Sequence, residues 1–241
     1  TAQNGESVVA SEMVVSVLPD IIEMLKSNHV AENLQHDMLV YTKKMALSLK
    51  AIRVFHHKTL WFPRAFVIDQ SGKGVEMGCD YIDLASQVWL LINRHAIDYG
   101  ILSSKQAIAL LKYIHGTLDQ SNLGATFWDP SRVTPVPVNS VYAMTSKESW
   151  SSFRQLLSVA YAQFDQTRSW AWKELLHTSF YWHAKTYPLI WMGTLSGPDG
   201  WDVDTGRTWD YNLVDQNNFP YANTNPNAMW NWAYDKVTHA Q

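Results

Sequence analysis

Apolar side chains recur every three or four residues through most of this chain, a period that restricts it to folds built from packed helices. Val8, Val9, Met13, Val14, Val17, Leu18, Ile21, Ile22 and Leu25 carry the period first and predict a helix over 6–27. Pro19 interrupts it, so the segment is either one kinked helix or two helices, the second starting near Pro19. Leu34, Met38, Leu39, Tyr41, Met45, Leu47, Leu49 and Ile52 predict a second helix over 31–55. A third, over 80–97, rests on Leu84, Val88, Leu91 and Ile92. A fourth, over 103–118, has Ser103 or Ser104 as N-cap and Gly116 near its end. Two more cover 147–164 and 169–185. A last one opens at Pro226, with Asn225 as N-cap.

The period fails in three places. Residues 60–68 are aromatic and β-branched, and Gln70-Ser71-Gly72 is a turn signal, which predicts a short strand or an extended loop running into a hairpin-like turn. Residues 119–146 hold Gly124, Pro130, Pro135 and Pro137 and read as a long loop. Residues 186–226 are irregular for about forty residues, more than a simple connection requires. Helix pairs alternating with long loops predict a mainly α chain. The expected form is an incomplete α/α toroid of the six-hairpin-glycosidase kind, with its loops at one mouth and a single domain over 1–241. A plain helical bundle fits the same period.

Hydrophobic residues make up 46% of the chain and charged residues 17%, which excludes a disordered chain. The net charge is −3 and no basic run occurs, so neither nucleic acid nor an anionic membrane is an expected partner. No apolar stretch reaches the ~18 residues of a membrane-spanning helix. The single cysteine, Cys79, excludes a disulfide framework and a Cys-rich zinc site, and fits a cytoplasmic setting. The opening TAQNGESVVASEMVV has no initiator Met and no basic leader, and reads as an internal cut or a processed end.

Aromatic residues are abundant: 12 Trp, 11 Tyr and 8 Phe, with nine of the Trp between Trp150 and Trp232. Indoles fill cores, and they also stack on the flat faces of sugar rings. In the 186–226 segment Asp199, Asp202, Asp204, Asp210 and Asp215 stand beside Trp191, Trp201 and Trp209. Carboxylates among aromatic platforms suit glycosidic-bond chemistry, where one carboxyl protonates the leaving oxygen. Asp199 and Asp202 are therefore the candidate catalytic residues, although Asp is also a common turn former. The spacing lacks the twelfth-position Glu of a calcium loop. No HExxH, GxGxxG, P-loop or GxSxG pattern occurs. No metal and no organic cofactor is expected.

Several short segments, in order, resemble the cellobiose, chitobiose and β-1,2-oligoglucan phosphorylases. Gly5-Glu6-Ser7-Val8 is similar to a segment that opens a barrel helix in that group. Trp61-Phe62-Pro63-Arg64-Ala65-Phe66, followed by Asp69 and the Gly72 turn, is similar to a second. Ile82-Asp83-Leu84-Ala85-Ser86-Gln87-Val88-Trp89 is the closest match. Tyr187-Pro188, Ser196-Gly197-Pro198-Asp199 and Thr224 to Trp232 complete the series. The resemblance implies the C-terminal part of an α/α-barrel domain. It also implies inverting phosphorolysis of a β-linked gluco-disaccharide or oligoglucan, with inorganic phosphate as co-substrate.

On that resemblance Trp61, Arg64, Trp191, Trp201 and Trp209 would line sugar subsites, and His183 and Thr224 would hold phosphate. Asn225 stands where the family has Gly after that Thr. The family's general acid lies upstream of Gly-Glu-Ser-Val, and its N-terminal β-sandwich lies further upstream still. An inverting hydrolase on the same barrel, a non-catalytic sugar-binding module, and a helical scaffold with a Trp-rich core are the alternatives. A homodimer or further domains of a longer chain are the expected protein partners, and an oligosaccharide the expected ligand.

Overall fold

The computed structural model describes residues 5–56, 58–68, 71–77, 82–121, 124–126, 148–164, 168–178, 200–202, 208–209 and 225–240. The chain is mainly helical and divides into two compact units, Thr1–Leu110 and Leu111–Gln241. No helix among the described residues is long and apolar enough to cross a membrane.

In the first unit, β1 (Gly5–Ser7) leads into α1 (Val8–Ser27), and Ser7 Oγ accepts the Ala10 N–H at 3.4 Å to cap it. Helix α1 is a single 20-residue helix with Pro19 inside it. Ala31, at φ 56, starts α2 (Glu32–Ala51), which packs along α1. Val8, Val15 and Ile22 of α1 and Ala46 and Leu49 of α2 are buried. The predicted second helix thus ends at Ala51. Val54–His56 (β2) pairs instead with Thr59–Trp61 (β3) in a hairpin with Lys58 at φ 63.

The strand and turn predicted after residue 60 are present. β4 (Ala65–Ile68) pairs with β5 (Gly74–Met77), and Gly72 in their turn has φ 82, a conformation glycine adopts without strain. β1 joins this sheet, Gly5 opposite Val67 and Ser7 opposite Ala65.

The helix predicted over 80–97 is broken. α3 (Ala85–Val88) passes into a 3-10 turn (Trp89–Leu91), and α4 (His95–Asp98) follows separately. Asn93 explains the break. Its Oδ1 accepts the His95 N–H at 3.1 Å, and its Nδ2 donates to the Ser16 carbonyl at 2.8 Å. Asn side chains that bond nearby backbone compete with the helix in this way.

α5 (Ser104–Thr117) opens with a reciprocal capping box. Ser103 Oγ accepts the Gln106 N–H at 3.2 Å, and Gln106 Oε1 accepts the Ser103 N–H at 2.8 Å. In the second unit β6 (Glu148–Trp150) precedes α6 (Ser151–Phe164), which packs against α7 (Arg168–His177) and α8 (Asn225–His239). Leu156, Leu157, Val159, Ala160, Ala171, Leu175, Ala233 and Val237 form the core between these three helices. The segment predicted as irregular contributes β7 (Gly200–Asp202) and β8 (Thr208–Trp209), which extend β6 into a three-stranded sheet.

Candidate functional site

Three stretches distant in sequence meet in the first unit. Asp83 precedes α3 and accepts two bonds from Ser86: the backbone N–H to Oδ1 at 3.0 Å and Oγ–H to Oδ2 at 2.7 Å. That is N-cap chemistry, and it explains why Asp and Ser stand three apart. One residue on, the buried Gln87 amide clasps the backbone of Phe62. Its Oε1 accepts the Phe62 N–H at 3.0 Å and its Nε2 donates to the Phe62 carbonyl at 2.9 Å. The Trp61–Arg64 stretch is thereby fixed to the start of α3. The Arg64 carbonyl accepts the Val8 N–H at 3.3 Å, which ties the start of α1 to the same point.

Charge collects here. Arg64 Nη1 lies 3.5 Å from Asp83 Oδ1; the Asp83 side chain is fully buried and that of Arg64 is 29% exposed. Glu12, one turn into α1 on its buried stripe, is also fully buried. Burial pushes the Glu12 carboxyl well above the ordinary range, the nearby Asp83 pushes it the same way, and Arg64 pulls it back. Asp83 is also raised by burial, against Arg64 and the Ser86 hydrogen bonds. Two buried acids therefore share one partly exposed guanidinium.

Of the predicted site residues, this arrangement brings in Arg64 and Trp61. The Trp61 residue is 1% exposed, so its indole is packed in protein here. Trp201 and Asp202 lie in β7, paired with Ser149 and Glu148, and Trp209 lies in β8, paired with Gly200. Only their backbone is described. Asp199, Trp191, His183 and Thr224 lie outside the described residues.

Sequence reasoning gave no role to Glu12 or Asp83. Glu12 had a legible signal: four residues after Val8 and three before Val15, it occupies an apolar position of the helical stripe.

A second charged centre, in the other unit, was not anticipated at all. Arg154 and Glu174 are both fully buried and form an ion pair, Nε to Oε2 at 2.7 Å. Asp119, also buried, is 2.9 Å from Lys173 Nζ and 2.9 Å from His115 Nδ1, and accepts the Tyr161 hydroxyl at 3.4 Å. The His115 ring stacks on Trp170 with centroids 3.6 Å apart. Burial and the Glu174 charge push Asp119 up to about 8, with Lys173 opposing. Burial would also raise Glu174, but Arg154 outweighs it and holds Glu174 below its usual value. Burial, aided by the Arg154 charge, drives His177 down to about 4. Among the described residues, no group of three His, Cys, Asp or Glu side chains is arranged to hold a metal. Comparison with protein-family models and with curated proteins gives no match, so the reading of this chain rests on its own residues.

Proposed function

We propose that this chain is part of a carbohydrate-active enzyme that cleaves a β-linked gluco-disaccharide or oligoglucan with inversion, inorganic phosphate attacking in place of water. The observation that carries the reading is convergence. The Gly5–Val8, Trp61–Phe66 and Ile82–Trp89 segments, which resemble the phosphorylases one by one, are joined by β1–β4 pairing, the Gln87 clasp and the Arg64–Asp83 pair. A partly exposed guanidinium held by a buried carboxylate suits recognition of sugar hydroxyls or of phosphate, because its planar fork of donors matches their geometry. Each of the helix hairpins α1–α2 and α6–α7 is the kind of unit from which an α/α ring is built.

In this reading Arg64 and the Trp-rich 191–209 segment bind sugar, His183 and Thr224 hold phosphate, and Asp199 or Asp202 carries protons. Tryptophan fluorescence titrated with cellobiose, and separately with sophorose, tests it. A saturable change with at least one sugar is expected, weakened ~10-fold or more in Arg64→Ala and less in Arg64→Lys. No response to either sugar would refute the proposal. Where turnover is found, sugar 1-phosphate formed only with phosphate present marks a phosphorylase, and phosphate-independent release marks a hydrolase.

A further inference from the structure

Glu12 places a carboxyl group where an ionised carboxylate is hard to sustain. It is fully buried, and neither carboxyl oxygen has a hydrogen-bond partner among the described residues. Buried acids normally find a partner or stay neutral. Among the described residues, the adjacent charges are one guanidinium, Arg64, and one carboxylate, Asp83, which lie 3.5 Å from each other. An ionised Glu12 would have to compete with Asp83 for that guanidinium.

We propose that Glu12 carries a proton, and so acts as a positioning residue that leaves the Asp83 carboxylate to hold Arg64 without competition from α1. The role assigned to Arg64 rests on the sugar-binding reading above; the proton on Glu12 does not. Loss of that proton sets two buried carboxylates competing for one guanidinium. Either Arg64 then swings from Asp83 toward Glu12, or Asp83 takes up the proton and releases its grip. Both outcomes disturb the exposed part of Arg64.

Among the described residues, the other elements packed on α1 bring no competing buried charge. α3, the 3-10 turn and β4 contain no charged residue. On α2, Glu32, His36, Asp37, Lys43, Lys44 and Lys50 are exposed. His95 of α4 pairs with Asp20 at 2.7 Å, about two turns further along α1, and lies 3.9 Å from Asp98. The raised proton affinity of Glu12, caused first by burial and then by Asp83, agrees with the assignment.

The test compares wild type, Glu12→Gln and Glu12→Ala by melting temperature from pH 6 to pH 9 and by cellobiose titration at pH 7 and pH 9. A folded-state pKa above the unfolded value means stability is lost as pH rises toward it. Wild type is therefore expected to lose several degrees more than Glu12→Gln over this range, since Gln mimics the protonated acid at every pH. Glu12→Ala melts lower at every pH, through the cavity it leaves. Cellobiose affinity of Glu12→Gln is expected within about twofold of wild type at pH 7 and several-fold tighter at pH 9.

Parallel melting profiles for wild type and Glu12→Gln would overturn the proposal, whatever the sugar does. So would loss of cellobiose binding in a folded Glu12→Gln at pH 7. Diverging profiles, with neither cellobiose nor sophorose bound by any of the proteins, would refute the sugar reading and support the proton on Glu12.

Discussion

The two units each bury charge, and they do so in opposite ways. In the second, Arg154 meets Glu174, and Asp119 meets Lys173 and His115, at 2.7–2.9 Å. In the first, Asp83 is well bonded to Ser86, but its guanidinium stands at 3.5 Å and the Glu12 carboxyl has no hydrogen-bond partner among the described residues. Close, matched partners offset most of the desolvation cost and make a network rigid. A loosely matched group retains electrostatic free energy that a ligand or a proton can release. The second unit's centre reads as a structural clamp, and the first unit's as the better place for chemistry.

The sharpest way to break that contrast is to remove one side of the matched pair. Glu174→Ala leaves the Arg154 guanidinium buried without its carboxylate, and should cost ~3–5 kcal/mol in urea denaturation. Replacing both, as Arg154→Met with Glu174→Leu, should recover most of that loss, because an apolar pair carries no desolvation cost. If the single variant costs under ~1 kcal/mol, the pair is not a clamp and the contrast between the units fails.

A smaller effect is expected at Gly124. It has φ +117, and a Cβ there would lie 1.9 Å from Arg154 Cζ. Gly124→Ala must both adopt a strained backbone and displace a buried guanidinium, which should cost ~2–3 kcal/mol. In an Arg154→Met background the guanidinium is gone and only the backbone strain, ~1 kcal/mol, should remain. A cost unchanged by that background would mean that Gly124 does not seat Arg154.

Legibility in the sequence followed the range of the interactions. The capping box at Ser103 and Gln106 lies within four residues, and Ser103 was readable as a cap. The β4–β5 hairpin announced itself through Gln70-Ser71-Gly72. The break at Asn93 was missed, because its outcome depends on a bond to Ser16, 77 positions earlier. β1 was missed as well: three residues carry no period, and the strand exists only because Ala65–Val67 lies beside it.

The candidate site divides the same way. Arg64 and Trp61 came from a local motif. Glu12 could have been found as the one acid on an apolar stripe. The Asp119 centre could not, since Lys173 and Glu174 reach it from more than fifty residues away, through tertiary packing alone. Where Asp199, Trp191, His183 and Thr224 sit relative to Arg64 lies outside the described residues.

The least disruptive prediction tests whether the clamp in the second unit is sensitive to protons. Asp119, pushed up to about 8, binds its proton more tightly folded than unfolded. Its contribution is fully present below about pH 4 and is lost as pH rises toward 8. His177, driven from 6.5 to about 4, works the other way, losing stability as pH falls between those values. Glu174, held low by Arg154, keeps its contribution above the ordinary carboxylate range and loses it only in acid. Below pH 6.5 the Asp119 and His177 effects oppose one another, so of these three second-unit groups Asp119 alone acts between about 6.5 and 8, a window worth up to about 2 kcal/mol. Asp119→Asn, which cannot ionise, should lose less stability than wild type across that window, by chemical denaturation at pH 6.5 and pH 8. The amide oxygen of Asn can still accept from Lys173, and its N–H2 can donate to an unprotonated His115 Nδ1, so the variant should stay folded. Equal losses for the two proteins would mean that Asp119 is already ionised at neutral pH. The second unit would then hold Asp119 as one more fully matched ion, and the contrast with Glu12 would be sharper.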